Sequence, residues 1–140
     1  MTHHAITLKE ERPAREEDLQ RYTVQLLKFC GARELVWFHV PNGEARSKVT
    51  GARLKALGVR PGVADFAMTL PGGRSAYLEL KTPKGRPSPE QKVFRSDAET
   101  AGALYAIART PEEVQATLSA WGALRRSMTP SEITTLRAAE

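Results

Sequence analysis

Asp65-Phe66-Ala67-Met68-Thr69-Leu70-Pro71-Gly72-Gly73-Arg74-Ser75-Ala76-Tyr77-Leu78-Glu79-Leu80-Lys81 alternates apolar and polar residues on both sides of a Pro-Gly-Gly turn. That pattern predicts a β-hairpin with strands from Val63 to Leu70 and from Ser75 to Lys81. Directly opposed residues of an antiparallel pair share one face of the sheet. Setting the row Phe66, Met68, Leu70 against the row Ala76, Leu78, Leu80 centres the register on Gly72, with Phe66 opposite Leu78 and Met68 opposite Ala76. The other face then carries Asp65, Ala67 and Thr69 against Ser75, Tyr77, Glu79 and Lys81. Asp65 falls across from Glu79, with Cβ atoms about 5 Å apart. Two facing carboxylates repel unless a cation lies between them, and a hard divalent ion such as Mg2+ takes such oxygens while keeping several waters. An ammonium beside that ion, here Lys81, would orient a water or stabilise charge on a phosphate oxygen. The plainer alternative is a solvated strand face on which Glu79 and Lys81 form a surface ion pair.

Working outward, the period changes several times. Leu19, Tyr22, Leu26, Leu27 and Phe29 recur at helical spacing from about Arg15 to Phe29, and Gly31 stops them. Residues 1–14 show no sustained apolar period and are expected to be a leader, with His3 and His4 in a frayed terminus. Glu34 to Val40 is β-branched and aromatic and ends in Pro41-Asn42-Gly43, which predicts a strand. Ala45 to Ala64 is polar, with at most a short helix near Ala52 to Leu57. Ser88-Pro89-Glu90-Gln91, Thr110-Pro111-Glu112-Glu113 and Thr129-Pro130-Ser131-Glu132 each pair a hydroxyl cap with a proline and, three residues on, a Gln or Glu. These are three helix starts. The helices they open are expected to run to about Ala101, to about Ala123 and to the chain end. Ala103 to Ala108 between the first two is a short buried strand, so the expected order is α-β-β-β-α-β-α-α.

The chain has 140 residues, 41% hydrophobic and 26% charged, which fits one domain with its own core. The single cysteine, Cys30, has no partner for a disulfide and no Cys or His cluster around it, so a buried thiol in a reducing compartment is expected. The apolar runs Leu35 to Phe38 and Ala103 to Ala108 are far shorter than the ~20 residues of a membrane span. The expectation is therefore a soluble, cytoplasmic protein without a membrane partner. Twenty-one Lys and Arg against sixteen Asp and Glu leave +5, which suits a polyanionic partner. Ten of those cations bracket the carboxylates: Arg46, Lys48, Arg53, Lys55 and Arg60 before Asp65, and Lys81, Lys84, Arg86, Lys92 and Arg95 from Lys81 onward, opposed within these segments only by Glu90. Converging in space, they would form a rim that grips a phosphate backbone without reading bases. Solvated faces are the competing account. No zinc-ligand cluster, basic heptad region or aromatic ribonucleoprotein strand is present to read sequence. His39 with Asn42 makes no HNH arrangement, because the other histidines lie near the N-terminus; His39 is expected to be a strand residue near the rim, with Asn42 and Arg46 as phosphate contacts.

Asp65 followed by Glu79-Leu80-Lys81 resembles the Asp…Glu-x-Lys signature of the PD-(D/E)xK nuclease superfamily. The series Glu16-x-x-Leu19-Gln20, Trp37-Phe38 through Pro41-Asn42-Gly43, Gly58 to Asp65, Glu79-Leu80-Lys81 and Ser88-Pro89-x-Gln91 resembles one branch of it, the VRR-NUC (virus-type replication-repair nuclease) family, over residues 15–122. Ala64 stands where that family typically has proline, a change that removes no ligand. The resemblance implies an α/β fold with a restriction-endonuclease-like α-β-β-β-α-β core, a central mixed sheet and additional C-terminal helices over residues 123–140. It also implies roles. Asp65, Glu79 and the Leu80 carbonyl would hold Mg2+, which Mn2+ would replace. Lys81 would act on the attacking water or the scissile phosphate, and Glu16 would add an outer carboxylate. Glu16 and Gln20 lie at i and i+4 on one helix face, and Glu17 competes with Glu16 for the inward position. Gln91 would face the catalytic lysine, or else it simply closes a capping box with Ser88.

Stand-alone members of that family, from phages and bacteria, resemble Holliday-junction resolvases and are typically homodimers. The expected function is hydrolysis of phosphodiester bonds in branched DNA, with Asn42, Arg46, Lys48, Arg53, Lys55, Arg60, Lys84 and Arg86 on the backbone. Phe94, Trp121, Leu124, Ile133 and Leu136 are the candidates for a dimer interface, or else they pack on their own core. Two other classes compete: a non-catalytic DNA-binding protein on a nuclease fold, which would need a broken site, and a metabolic metalloenzyme, which the flanking cations and the lack of a nucleotide-binding glycine loop disfavour.

Overall fold

Phe66 pairs with Leu78, Ala67 with Tyr77, Met68 with Ala76 and Thr69 with Ser75, the register that centring on Gly72 requires. Gly72 and Gly73 make this turn with φ of +94° and +97°, a region open to glycine because it lacks a Cβ. The computed structural model describes residues 7–41 and 48–138, except for the side chains of 7–15, 48, 49, 130, 133, 136 and 137. Its elements are α1 (Thr7–Cys30), β1 (Val36–His39), α2 (Lys48–Ala56), β2 (Phe66–Thr69), β3 (Ser75–Leu80), α3 (Pro89–Thr100), β4 (Leu104–Ala108), α4 (Pro111–Ala120) and α5 (Pro130–Ala138). The strands form one mixed sheet in the order β1-β2-β3-β4, antiparallel from β1 to β3 and parallel between β3 and β4. α3 is the crossover that a parallel pair demands.

Two apolar clusters sandwich the sheet. On one face Phe66, Met68, Ala76, Leu78 and Leu80 pack with Leu19, Leu26 and Leu27 of α1 and with Val114 and Leu118 of α4. On the other, Phe94 and Ala98 of α3 cover Tyr105, Tyr77 and Ile107. Phe94 meets Tyr77 edge-on at 5.0 Å between centroids. This phenylalanine therefore belongs to the chain's own core and not to a dimer interface. Trp121 and Leu124 likewise pack against the first cluster. The side chains of Ile133 and Leu136 lie outside the described residues.

Several boundaries differ from the periodicity. α1 begins at Thr7, so its first turns occupy part of the segment expected to be a leader. A helix, α2, precedes β2, starting earlier than the short Ala52 to Leu57 stretch. The segment after Trp121 is tied into the domain: Ala32 N–H donates to Ala123 O at 2.7 Å, Arg125 N–H donates to Cys30 O at 2.8 Å, and Met128 is buried. Cys30 is fully buried as expected, and burial pushes its thiol pKa up. No helix among the described residues is long and apolar enough to cross a membrane.

Leu78, fully buried between α1 and the sheet, carries a direct test of this layering. Leu78→Ala is expected to lower unfolding free energy by about 2–5 kcal/mol in urea titrations, whereas a change under about 0.5 kcal/mol would contradict a packed position.

Candidate active site

Asp65 lies one residue before β2 begins, where the β2–β3 ladder has not yet started. Its carboxylate fills the missing rung: Leu80 N–H donates to Asp65 Oδ2 at 2.7 Å. Its backbone carbonyl accepts from Val40 N–H at 2.7 Å and stands 2.7 Å from His39 Nδ1, so this imidazole carries its proton on Nδ1. Asp65 is thus gripped from both neighbouring strands. Upstream, Gly62 turns at φ +77° against the start of α3, where a Cβ would collide with the Glu90 carbonyl and the Gln91 N–H. That close approach fixes the Asp65 segment relative to Gln91.

Glu79 is only 4% exposed, and with Thr23 it is one of two buried polar or charged residues among those described. Thr23 is satisfied by the Leu19 carbonyl at 2.8 Å. Glu79 is half satisfied. Its Oε1 accepts from Gln91 Nε2 at 3.3 Å, while its buried Oε2 has no hydrogen-bond partner. Burial foremost, then the charge and contact of the Asp65 carboxyl, hold the Glu79 pKa well above the ordinary carboxylate range; Lys81 opposes this and Glu16 adds to it. Burial, then the Glu79 charge, raises the Tyr105 hydroxyl to about 12.

Gln91 closes the expected capping box, and its amide meets Glu79 rather than the lysine it was expected to face. Its backbone N–H donates to Ser88 Oγ at 3.1 Å and its Oε1 accepts from Ser88 N–H at 2.9 Å, closing the capping box. With Oε1 committed to a backbone donor, the amide NH2 must face the other way, and there it meets Glu79. Glu17 pairs with Arg21 at 3.0 Å on the surface; Glu16 is also exposed on α1, and its charge adds to the field at Glu79.

The residues fit a divalent cation. An orphaned carboxylate oxygen beside a second carboxylate is a site short of positive charge, and a buried charge left in that state is costly. Leu80 directs its N–H to Asp65, and in a strand the N–H and C=O of one residue share an edge, so the Leu80 carbonyl belongs to the same corner. No group of three or more His, Cys, Asp or Glu positioned for a metal exists among the described residues. The donors this corner would offer an ion are two carboxylates and a backbone carbonyl. Hard oxygen donors with room for water suit Mg2+ or Mn2+.

The cations divide. Lys84 and Arg86 are exposed on the segment that leaves β3, and Arg53 and Lys55 are exposed on α2. Arg60 is committed elsewhere: it pairs with Asp97 at 2.5 Å and lies over the Phe94 ring. Arg95 pairs with Glu99 and lies over Tyr105. Asn42 and Arg46, together with the Lys48 side chain, lie outside the described residues. Sequence reasoning missed Arg109, which a parallel register would have placed level with Lys81.

Among solved structures, one titled "VRR_NUC domain protein" superposes with a TM-score of 0.62 at 17% identity, covering 76% of this chain and 86% of the other. A second, titled "VRR_NUC domain", gives 0.52 at 18% identity, covering 75% and 95%. The chain has the VRR-NUC domain fold. No family profile matches the sequence, and no curated protein does. The VRR-NUC likeness thus lies in the arrangement of elements rather than in overall identity, and it spans nearly the whole of the matched domains.

A group whose folded pKa is raised binds more protons folded than unfolded between its ordinary and raised values. Without divalent ions, the contribution of Glu79 is therefore fully present below the ordinary Glu range and is lost as pH climbs through it to about 9. Thermal melts in a chelator should show Glu79→Gln gaining on the native sequence across that window, by at least about 4 °C at pH 8. A difference that stays constant with pH would contradict the assignment.

Proposed function

We propose that the chain is a metal-dependent nuclease that hydrolyses phosphodiester bonds in DNA. The observation that carries this reading is the orphaned Glu79 Oε2 beside Asp65, on a strand that places Lys81 two residues further along the same face. When bound between Asp65, Glu79 and the Leu80 carbonyl, Mg2+ or Mn2+ supplies Lewis acidity toward the scissile phosphate and the attacking water. Asp65 is held by Leu80 N–H, so its carboxylate is set before substrate arrives. Gln91 fixes Glu79 from the first turn of α3 through Oε1, so Oε2 would be the oxygen that holds an ion. Lys81, whose charge opposes the two carboxylates, orients the attacking water or stabilises charge on a phosphate oxygen. Glu16 adds negative charge from α1, which strengthens the demand for a cation.

Lys84, Arg86, Arg53 and Lys55 are the exposed cations for the sugar-phosphate backbone, with Asn42, Arg46 and Lys48 adjoining them in sequence. Backbone contacts position DNA without reading it, which favours recognition of shape. The reading therefore extends to branched DNA such as a Holliday junction. A second copy of the chain would present two such sites to two strands.

Incubating the protein with labelled four-way, flap and linear DNA in Mg2+ or Mn2+ tests the reading. The four-way junction should be cut fastest, and Glu79→Ala and Lys81→Ala should each lose at least roughly 10²-fold in rate. Absence of metal-dependent cleavage, or undiminished cleavage by both variants, would overturn it.

A further inference from the structure

The parallel register that sets Glu79 against Ile107 and Leu80 against Ala108 brings Lys81 level with Arg109. Lys81 N–H donates to the Ala108 carbonyl at 3.1 Å. Past that rung, Thr82 to Gly85 forms a tight turn, closed by Gly85 N–H donating to the Thr82 carbonyl at 3.0 Å. Arg109 grips the turn at both ends: its Nη1 donates to the Thr82 carbonyl at 2.7 Å and to the Gly85 carbonyl at 2.5 Å. The arginine is itself anchored, because its backbone N–H donates to the Glu113 carboxylate at 2.6 Å in the first turn of α4. A planar guanidinium with fixed donors suits this double grip, and bonds from a charged donor are among the stronger ones.

The turn is also the surface on which Lys81 rests. A Cβ built at Gly85 would lie 3.5 Å from Lys81 Cδ and 2.9 Å from Thr82 Oγ1. Lys81, Thr82, Pro83 and Arg109, with Asp18 and Leu19 of α1, surround a cavity of about 290 Å³. A four-carbon stem has many rotamers, and a reacting group displaced by about 1 Å can cost ~10²-fold in rate. Glu79 is fixed by Gln91 and Asp65 by Leu80, whereas for Lys81 the braced turn takes that place.

We infer that Arg109 is the positioning residue for Lys81: by bracing the Thr82–Gly85 turn it holds the bed along which the lysine stem reaches the site. The inference rests on the nuclease reading, and its test separates the two. Single-turnover cleavage, Mn2+ affinity by calorimetry and thermal melts are compared for the native chain, Arg109→Met and Arg109→Lys, with Arg109→Met also made in a Lys81→Ala background. Arg109→Met should slow cleavage about 10–100-fold, leaving the half-saturating DNA concentration and the Mn2+ affinity within about twofold. Arg109→Lys, whose ammonium can donate to both carbonyls, should recover most of the rate. In the Lys81→Ala background the arginine substitution should cost less than about twofold, because both act through one group. Gly85→Ala, which keeps Arg109 and the carbonyl it grips but crowds the bed of the lysine stem, should also slow cleavage without changing Mn2+ affinity.

A higher half-saturating DNA concentration with the rate intact would make Arg109 a phosphate contact and overturn the inference. Equal losses of rate, Mn2+ affinity and melting temperature, unrecovered by lysine, would make it a general framework residue and overturn it too. Failure of the native chain to cleave any of the DNAs in either metal would remove the nuclease reading itself, whereas a cleaving native chain with an indifferent Arg109→Met removes the positioning role alone.

Discussion

The hydrogen bond from Leu80 N–H to Asp65 Oδ2 is the constraint on which the site depends. β2 and β3 are paired from Phe66 and Leu78 to the Gly72 turn, and at the open end of that ladder a side-chain oxygen takes the place of a backbone carbonyl. The substitution has two consequences. It holds one carboxylate against the sheet edge, and it sets that carboxylate beside Glu79 on the same face. A polar sheet end that would otherwise be closed by one more backbone rung becomes a corner of concentrated negative charge. Everything nearby serves that corner: Val40 holds the Asp65 backbone, Gly62 lets α3 approach, and Gln91 reaches Glu79 from the α3 cap.

Burial of Glu79 works against folding in the absence of a cation, since a desolvated carboxylate with an unpaired oxygen is destabilising. The rest of the domain offsets this with a continuous core of α1, α4 and the inner sheet face. Such a division is common where chemistry is done: the framework is locally consistent, and the inconsistency sits at the functional position.

Much of this was legible in the sequence for identifiable reasons. Side chains alternate strictly along a strand, so a turn centred on Gly72 and two apolar rows specify the β2–β3 pairing and set Asp65 near Glu79. The cap signatures at Ser88 and Thr110 located α3 and α4, because hydroxyl, proline and carboxamide or carboxylate act within one turn. What was illegible depends on contacts distant in sequence. The parallel β3–β4 register follows from how α3 packs across the sheet, so the neighbourhood of Lys81 and Arg109 had no local signal. Arg60 looked like a rim cation until its partner Asp97, on α3, was in view. Glu113 sends its carboxylate to Arg109 rather than back to its own cap, a choice set by where β4 ends.

Calorimetric titration of Mn2+ and Mg2+ into the native chain and into Glu79→Gln, in buffers of different ionisation enthalpy, tests whether the Asp65–Glu79 corner holds a cation. One ion should bind per chain, with protons released on binding near pH 7 and a loss of at least about tenfold in affinity in Glu79→Gln. No binding by the native chain, or equal affinity in the two proteins, would contradict it.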